Sequence, residues 1–286
     1  MTRIEGAIVC LGEVVWDLFA DGPVLGGAPF NSAVHLKRHG VPVALVTAVG
    51  RDPLGEAILA FLHAEALPGA RIHPSLPTGT VQVALDGQGT PRFAIQERAA
   101  WTDLAGAAPR AGDPAPLRPA LLVFGGVAMH SDGNRKLATR LGNAAPLRLC
   151  DLNLRPGWAD PEVARWCLAH ADILKVNADE LAFLLALEGL DRPETLLEHS
   201  GLQGLCVTLG PGGLIWRDRS GPPRQLPAAA EGDPGPVVDT VGAGDAITAA
   251  LALGLVSAEP PEVFLDRART WAARVCAVRG ALLPRD

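Results

Sequence analysis

Two acids, Asp239 and Asp245, bracket the run Thr240-Val241-Gly242-Ala243-Gly244, and an apolar, helix-forming stretch from Ala246 follows at once. The small residues Gly242, Ala243 and Gly244 let successive backbone N–H groups turn towards one point at a helix start, where the helix dipole also favours negative charge. The result is an anion hole made of main chain. An acid at its mouth is electrostatically costly unless it handles a proton. Asp245 is placed to take one from a hydroxyl while the amides stabilise a phosphoryl group in transit. The competing reading is purely structural, with Asp245 a first-turn acid and Asp239 a turn residue. No G-x-x-x-x-G-K-[ST] run occurs, which excludes a P-loop. Ile247 stands where a dinucleotide fingerprint needs its third glycine, which argues against hydride transfer.

The rest of the chain must position that bend. Its 286 residues suit one large α/β domain, and 48% hydrophobic residues supply a sizeable core. A net charge of -6 argues against nucleic-acid partners, so an anionic ligand has to be held by local geometry. The five cysteines are scattered without C-x-x-C spacing and read as reduced core thiols, and the seven histidines have no ligand spacing. The N-terminus runs straight into a strand-like segment, and apolar runs such as "ALLVFGGVAM" are too short to span a bilayer. A cytoplasmic protein with no membrane partner is expected.

Six apolar runs, "AIVCLG", "VALVTAVG", "LLVFGG", "LRLCDLN", "DILKVN" and "GLCVTLG", alternate with helical stretches such as "NSAVHLKRHG", "DPLGEAILAFLHAEA" and "ADELAFLLALEGL". Continuous rather than alternating apolar strands imply burial on both faces, hence a mostly parallel sheet between helices, with functional residues at its carboxyl ends. "TGTVQVALDGQGTPRFAIQE" breaks the rhythm with a period of two and a turn at "DGQG". With "EVVWDLF" it would form a small antiparallel lid. The Pro-rich stretches "APRAGDPAPLRP" and "GPPRQLPAAAEGDPGP" read as loops.

"LGGAPFNSAVHLKRHG" and "DTVGAGD", with "GEVVWDLF", "VGRDPLG", "DLNLRPGW", "KVNADE" and "VTLGPGG" in family order, resemble the signatures of the ribokinase-like, phosphofructokinase B-type carbohydrate kinases. "GEVVWDLF", "GGAPFN" and "DLNLRP" are most similar to the fructokinase branch. The resemblance implies one ribokinase-like domain over residues 1–286, a three-layer α/β sandwich with lid segments at about 13–25 and 76–101.

It also implies roles. Asp245 would be the base, Gly242, Ala243 and Gly244 the anion hole, and Thr240 the shaper of the loop. Asn177 and Glu180 would hold magnesium, mostly through water, and Lys175 would point at the phosphates as a mobile cation. Residues alone read Asn177 and Glu180 as a capping box, and both roles are compatible. Thr208, Gly210 and Gly213 would lie beside ATP. Asp17, Gly27 and Asn31 would read sugar hydroxyls, although Asn31 is also a plausible helix N-cap. Arg155 would face phosphate or an acidic sugar group. Asp151 and Asn153 lie at a strand end, and Gln96 and Arg98 sit on the lid. "LLVFGG" lacks the acid that ribokinase uses for ribose, and the absence of tyrosine leaves adenine to aliphatic residues.

The implied reaction is ATP-dependent phosphorylation of a primary hydroxyl of a small sugar, with fructose or a related ketose first. The alternatives are 2-keto-3-deoxygluconate, a nucleoside, or a non-catalytic sugar- or nucleotide-binding regulator. By resemblance alone, a monovalent-cation site near Asp239–Thr240 and a homodimer through the lid are also allowed.

Overall fold

The computed structural model describes residues 4–85, 91–107, 118–155, 157–228 and 235–284. Its first half runs β1 (Ile8–Leu11), β2 (Val15–Phe19), β3 (Gly22–Gly26), α1 (Ala28–Arg38), β4 (Val43–Val49), α2 (Pro53–Ala64), β5 (Ala70–Ile72), β6 (Gly79–Leu85) and β7 (Pro91–Ile95). There follow β8 (Leu121–Gly125), α3 (Asp132–Ala144), β9 (Arg148–Asp151), α4 (Pro161–His170), β10 (Ile173–Asn177), α5 (Ala178–Glu188) and α6 (Pro193–His199). The chain closes with β11 (Gly204–Thr208), β12 (Leu214–Asp218), β13 (Arg224–Leu226), α7 (Ala243–Val256) and α8 (Pro261–Cys276).

The six apolar runs become β1, β4, β8, β9, β10 and β11 of a nine-stranded sheet ordered β13-β12-β11-β10-β9-β8-β1-β4-β5. All its pairings are parallel except β11–β12 and β12–β13. Both faces are buried, because successive side chains point opposite ways: Ile8 and Cys10 join one core, and Val9 and Leu11 join the other. The first core includes residues of α1, α2, α7 and α8; the second includes residues of α3, α4, α5 and α6. This is the expected three-layer sandwich. Four cysteines are buried and free, and Cys276 is half-buried and free. No helix among the described residues is long and apolar enough to cross a membrane.

The lid is a second sheet, ordered β3-β2-β6-β7. Two of its pairings are antiparallel, but β2 runs parallel to β6, so the sheet is mixed rather than purely antiparallel. The reason is topological: both strands leave the core in the same direction. The "DGQG" turn lies outside the described residues, as does most of "APRAGDPAPLRP". Within "GPPRQLPAAAEGDPGP", Arg224–Leu226 forms β13 instead of a loop. Its prolines precede and follow the strand, at an edge where a missing N–H is tolerated.

Candidate active site

Asp245 is the third residue of α7, and Gly242 is its N-cap in the left-handed region at φ 80°. A Cβ on Gly242 would stand 2.4 Å from Ala281 Cα, so both the backbone conformation and the space require glycine. No side chain caps this helix start. The Ala243 amide bonds back to the Thr240 carbonyl at 3.3 Å, which draws the exposed Thr240 into the bend.

The Asp245 carboxylate accepts a 2.7 Å hydrogen bond from Asn31 Nδ2, and its carbonyl accepts one from Ser32 Oγ at 3.1 Å. Both partners come from α1, whose N-cap is Gly27, with a proline in the first turn that suits a helix start. Asn31 is therefore inside the helix, and the N-cap reading of it is corrected. Burial pushes Asp245 up to about 6, with help from the charge of Asp151; the Asn31 hydrogen bond, Lys175 and Arg155 oppose the rise.

Behind the glycines lies a buried ion pair. Lys175 Nζ on β10 donates to Asp151 Oδ2 on β9 at 2.7 Å, and Thr248 Oγ1 on α7 donates to the same oxygen at 2.7 Å. A Cβ on Gly244 would come within 3.0 Å of Lys175 Nζ, so the ammonium stands directly behind the bend. Lys175 is 6% exposed and Asp151 5%. Lys175 is thus a fixed cation, not the mobile one expected, because the sheet register sets it beside Asp151. Burial works against its charge, but Asp151, Asp245 and Glu180 outweigh that and hold its pKa above the ordinary lysine value.

Asn177 and Glu180 form a reciprocal capping box at α5, with both hydrogen bonds at 2.8 Å. Glu180 also accepts from the Leu154 amide at 2.7 Å, which ties the loop after β9 to α5. Burial and Asp151 raise the Glu180 carboxyl, while the Asn177 and Leu154 amides and Lys175 favour its charged form. Among the described residues no cluster of three or more His, Cys, Asp or Glu side chains is set to hold a metal. Asn177 and Glu180 supply oxygen only, a donor set that fits a hard cation held through water and completed by phosphate oxygens.

Thr208 closes β11, its Oγ1 3.4 Å from the Val176 carbonyl. Gly210 has φ 55° and open space where a side chain would go. Gly213 is a packing necessity, since a Cβ there would meet the Leu226 carbonyl at 2.0 Å. Asp239 is a turn residue, accepting from the Val241 amide at 3.0 Å and from Gly280 N at 3.0 Å.

On the lid side, Asp17 on β2 lies over Gly26, whose missing Cβ would be 2.5 Å from Asp17 Oδ2. Burial pushes Asp17 up to about 6 against the pull of Arg155. Gly27, at φ 116°, allows the Glu13 carbonyl to pass where a Cβ would be 2.5 Å away. Arg155 is exposed in the loop after β9, and its charge reaches Glu13, Asp17 and Asp245. Asn153, two residues earlier, adopts φ 44°. In the lid, Gln96 accepts from Thr80 Oγ1 at 3.1 Å, and Arg98 is exposed. The structure thus gathers Asp17, Gly27, Asn31, Arg155 and Asp245 at one mouth, with Lys175 and Asp151 behind it.

Sequence reasoning passed over Ser32, Thr248 and Glu13. Glu13 is buried, and its Oε2 has no hydrogen-bond partner. Burial pushes it up to about 7; the amides of Glu13 and Ala28 and the charge of Arg155 oppose this, and Asp245 adds to it. The available signal was an acid placed directly after Gly12, where a buried strand ends.

The family model described as pfkB family carbohydrate kinase matches residues 12–286. The chain is 30% identical to a fructokinase of Klebsiella pneumoniae, over 98% of this chain and 96% of that protein. A Vibrio cholerae fructokinase double mutant, solved with fructose, ADP and potassium ion, superposes with TM-score 0.78 at 24% identity, covering 98% of this chain and 95% of that one. A sugar kinase of Pyrococcus horikoshii in complex with ATP gives TM-score 0.74 at 25% identity, covering 96% and 93%. A glycine-turned helix start with a half-buried acid, matched from Gly12 to the last residue, places this chain in the pfkB family of carbohydrate kinases, on the side of its fructokinases.

Proposed function

We propose that this sugar kinase transfers the terminal phosphoryl group of ATP to a primary hydroxyl of fructose or a related ketose. The observation that carries the reading is the Asp245 carboxylate, fixed by Asn31 at 2.7 Å beside an α7 start that no side chain caps. Asp245 takes the hydroxyl proton as the sugar oxygen attacks. The amides of Gly242 and Gly244 hold the migrating phosphoryl oxygens, with Lys175 fixed behind them, whereas the Ala243 amide, expected to join them, is turned back onto the Thr240 carbonyl at 3.3 Å. Magnesium, held through water by Asn177 and Glu180, would neutralise phosphate charge. Asp239, which bonds amides on both sides of the Val241 and Gly280 loops, would brace a monovalent-cation site.

Charge supports a neutral sugar over an acidic one. Among the described residues, the charge of Arg155 is shared by Glu13, Asp17 and Asp245, so a carboxylated sugar meets more acid than base there. Closure of the lid over the sugar would exclude water and limit wasteful hydrolysis of ATP.

A coupled ADP-release assay against fructose, other hexoses, 2-keto-3-deoxygluconate and nucleosides tests this. Fructose should give the highest kcat/KM. A higher value with the acidic sugar or a nucleoside replaces the substrate, and no stimulation by any compound points to a regulator.

A further inference from the structure

Two buried acceptor oxygens stand at the start of α1 without any donor: Glu13 Oε2 and Asn31 Oδ1. Glu13 is 6% exposed and Asn31 4%. Buried acceptors are rarely left unpaired, because each forfeits its hydration for nothing. The orientation of the Asn31 amide is fixed, since its nitrogen is committed to Asp245. Glu13 wraps the same helix start: its carbonyl lies 2.5 Å from where a Gly27 Cβ would be, and its carboxylate feels the charges of Arg155 and Asp245. Both orphans therefore belong to the mouth at which the base waits. A polyol supplies what they lack, with O–H donors on adjacent carbons.

We propose that Glu13 is a specificity-determining residue of the sugar site, its carboxylate accepting a hydrogen bond from a substrate hydroxyl other than the one phosphorylated. The proposal rests on the sugar-kinase reading above. A site built to pair a hydroxyl rejects the analogue that lacks it, because the buried carboxylate is then left alone. Asp17 and Asn31 lie at the same mouth, but neither donates to the Glu13 oxygen.

The test compares wild type with Glu13→Ala against fructose and its monodeoxy analogues; if another sugar gives the highest kcat/KM, that sugar and its deoxy series are used. Glu13→Ala should raise the sugar KM about ten- to hundredfold while the ATP KM stays within about twofold. One deoxy analogue, penalised in the wild type, should lose that penalty to within about threefold in the variant, because its missing hydroxyl no longer has a partner to abandon. Deoxy penalties identical in both proteins would reduce Glu13 to a structural role and overturn the proposal. If Glu13→Ala fails to melt cooperatively, Glu13→Met, which fills the volume without a hydroxyl acceptor of comparable strength, carries the same comparison. A wild type that phosphorylates no sugar overturns the sugar-kinase reading itself, and this proposal with it.

Discussion

Asp245 is asked to be both half-buried and charged, and the site resolves the conflict only in part. Desolvation and Asp151 raise its pKa to about 6, while Asn31, Lys175 and Arg155 hold the carboxylate form within reach of neutral pH. A base must be deprotonated to act, so kcat/KM should fall as pH drops through about 6, and a pH–rate series on the free enzyme would read it. A profile flat down to the ordinary aspartate range would assign proton removal elsewhere. Asp245→Asn removes the acceptor and the buried charge together. It should lower kcat by about 10²- to 10⁴-fold, with ATP affinity changed little, as steady-state kinetics and nucleotide titration would report. The same variant should melt at a higher temperature at alkaline pH, where the wild-type carboxylate is charged and poorly solvated. Loss of function with gain of stability is the signature of a site residue.

At the scale of elements, the proposed anion hole depends on two strands and a helix meeting at one oxygen. Asp151 Oδ2 receives Lys175 from β10 and Thr248 from α7, which fastens the glycine bend to the sheet. Lys175→Met strands a buried carboxylate and should cost about 3–5 kcal/mol of stability, measured by urea unfolding with an unchanged slope. Adding Asp151→Asn should recover part of that loss, because the uncompensated charge goes with it. The bend itself was legible in the sequence, since Gly242 to Asp245 is a local signal that needs no distant partner. Its supports were not. Asn31 and Asp245 are 214 residues apart, and only the packing of α1 on α7 joins them. Lys175 looked mobile because the register that sets it against Asp151 is a tertiary fact. Glu13 was missed for a similar reason: an acid directly after Gly12 was a readable signal, but its packing against the Gly27 turn is a tertiary fact. The strands of the core were readable because burial on both faces leaves unbroken apolar runs, whereas the β13 edge strand was masked by its prolines.

Across the whole molecule, the lid and the core share one hub. Asp52 caps α2 at Gly55 and also accepts from Thr78 N and Oγ1 at 2.8 and 2.7 Å, while Trp16 in β2 donates to the Leu54 carbonyl at 3.1 Å. The small sheet is therefore tied to the start of α2, and near it lie acids that the fold would rather hold neutral. Glu13 rises from 4.5 to about 7, and Asp17 and Asp245 rise from 3.8 to about 6, all chiefly by burial. His35, on the buried side of α1, moves the other way, from 6.5 to about 4, again by burial. Between roughly pH 4.5 and 6 the folded chain keeps protons on these three carboxyls, and on Glu180 in the same direction, that the unfolded chain has released, against the protons that unfolded His35 and His130 retain. Proton binding thus favours the native state, so stability should decline as pH climbs through this window. Carboxyls held low, such as Asp52 and Asp218, act only below the ordinary aspartate range and do not reverse the sign. Thermal melts of the ligand-free protein should give a lower midpoint near pH 7 than near pH 5, and Glu13→Gln should flatten the slope by about one proton's share. A midpoint that climbs across the same interval would mean that these acids are well solvated and titrate in the ordinary carboxylate range.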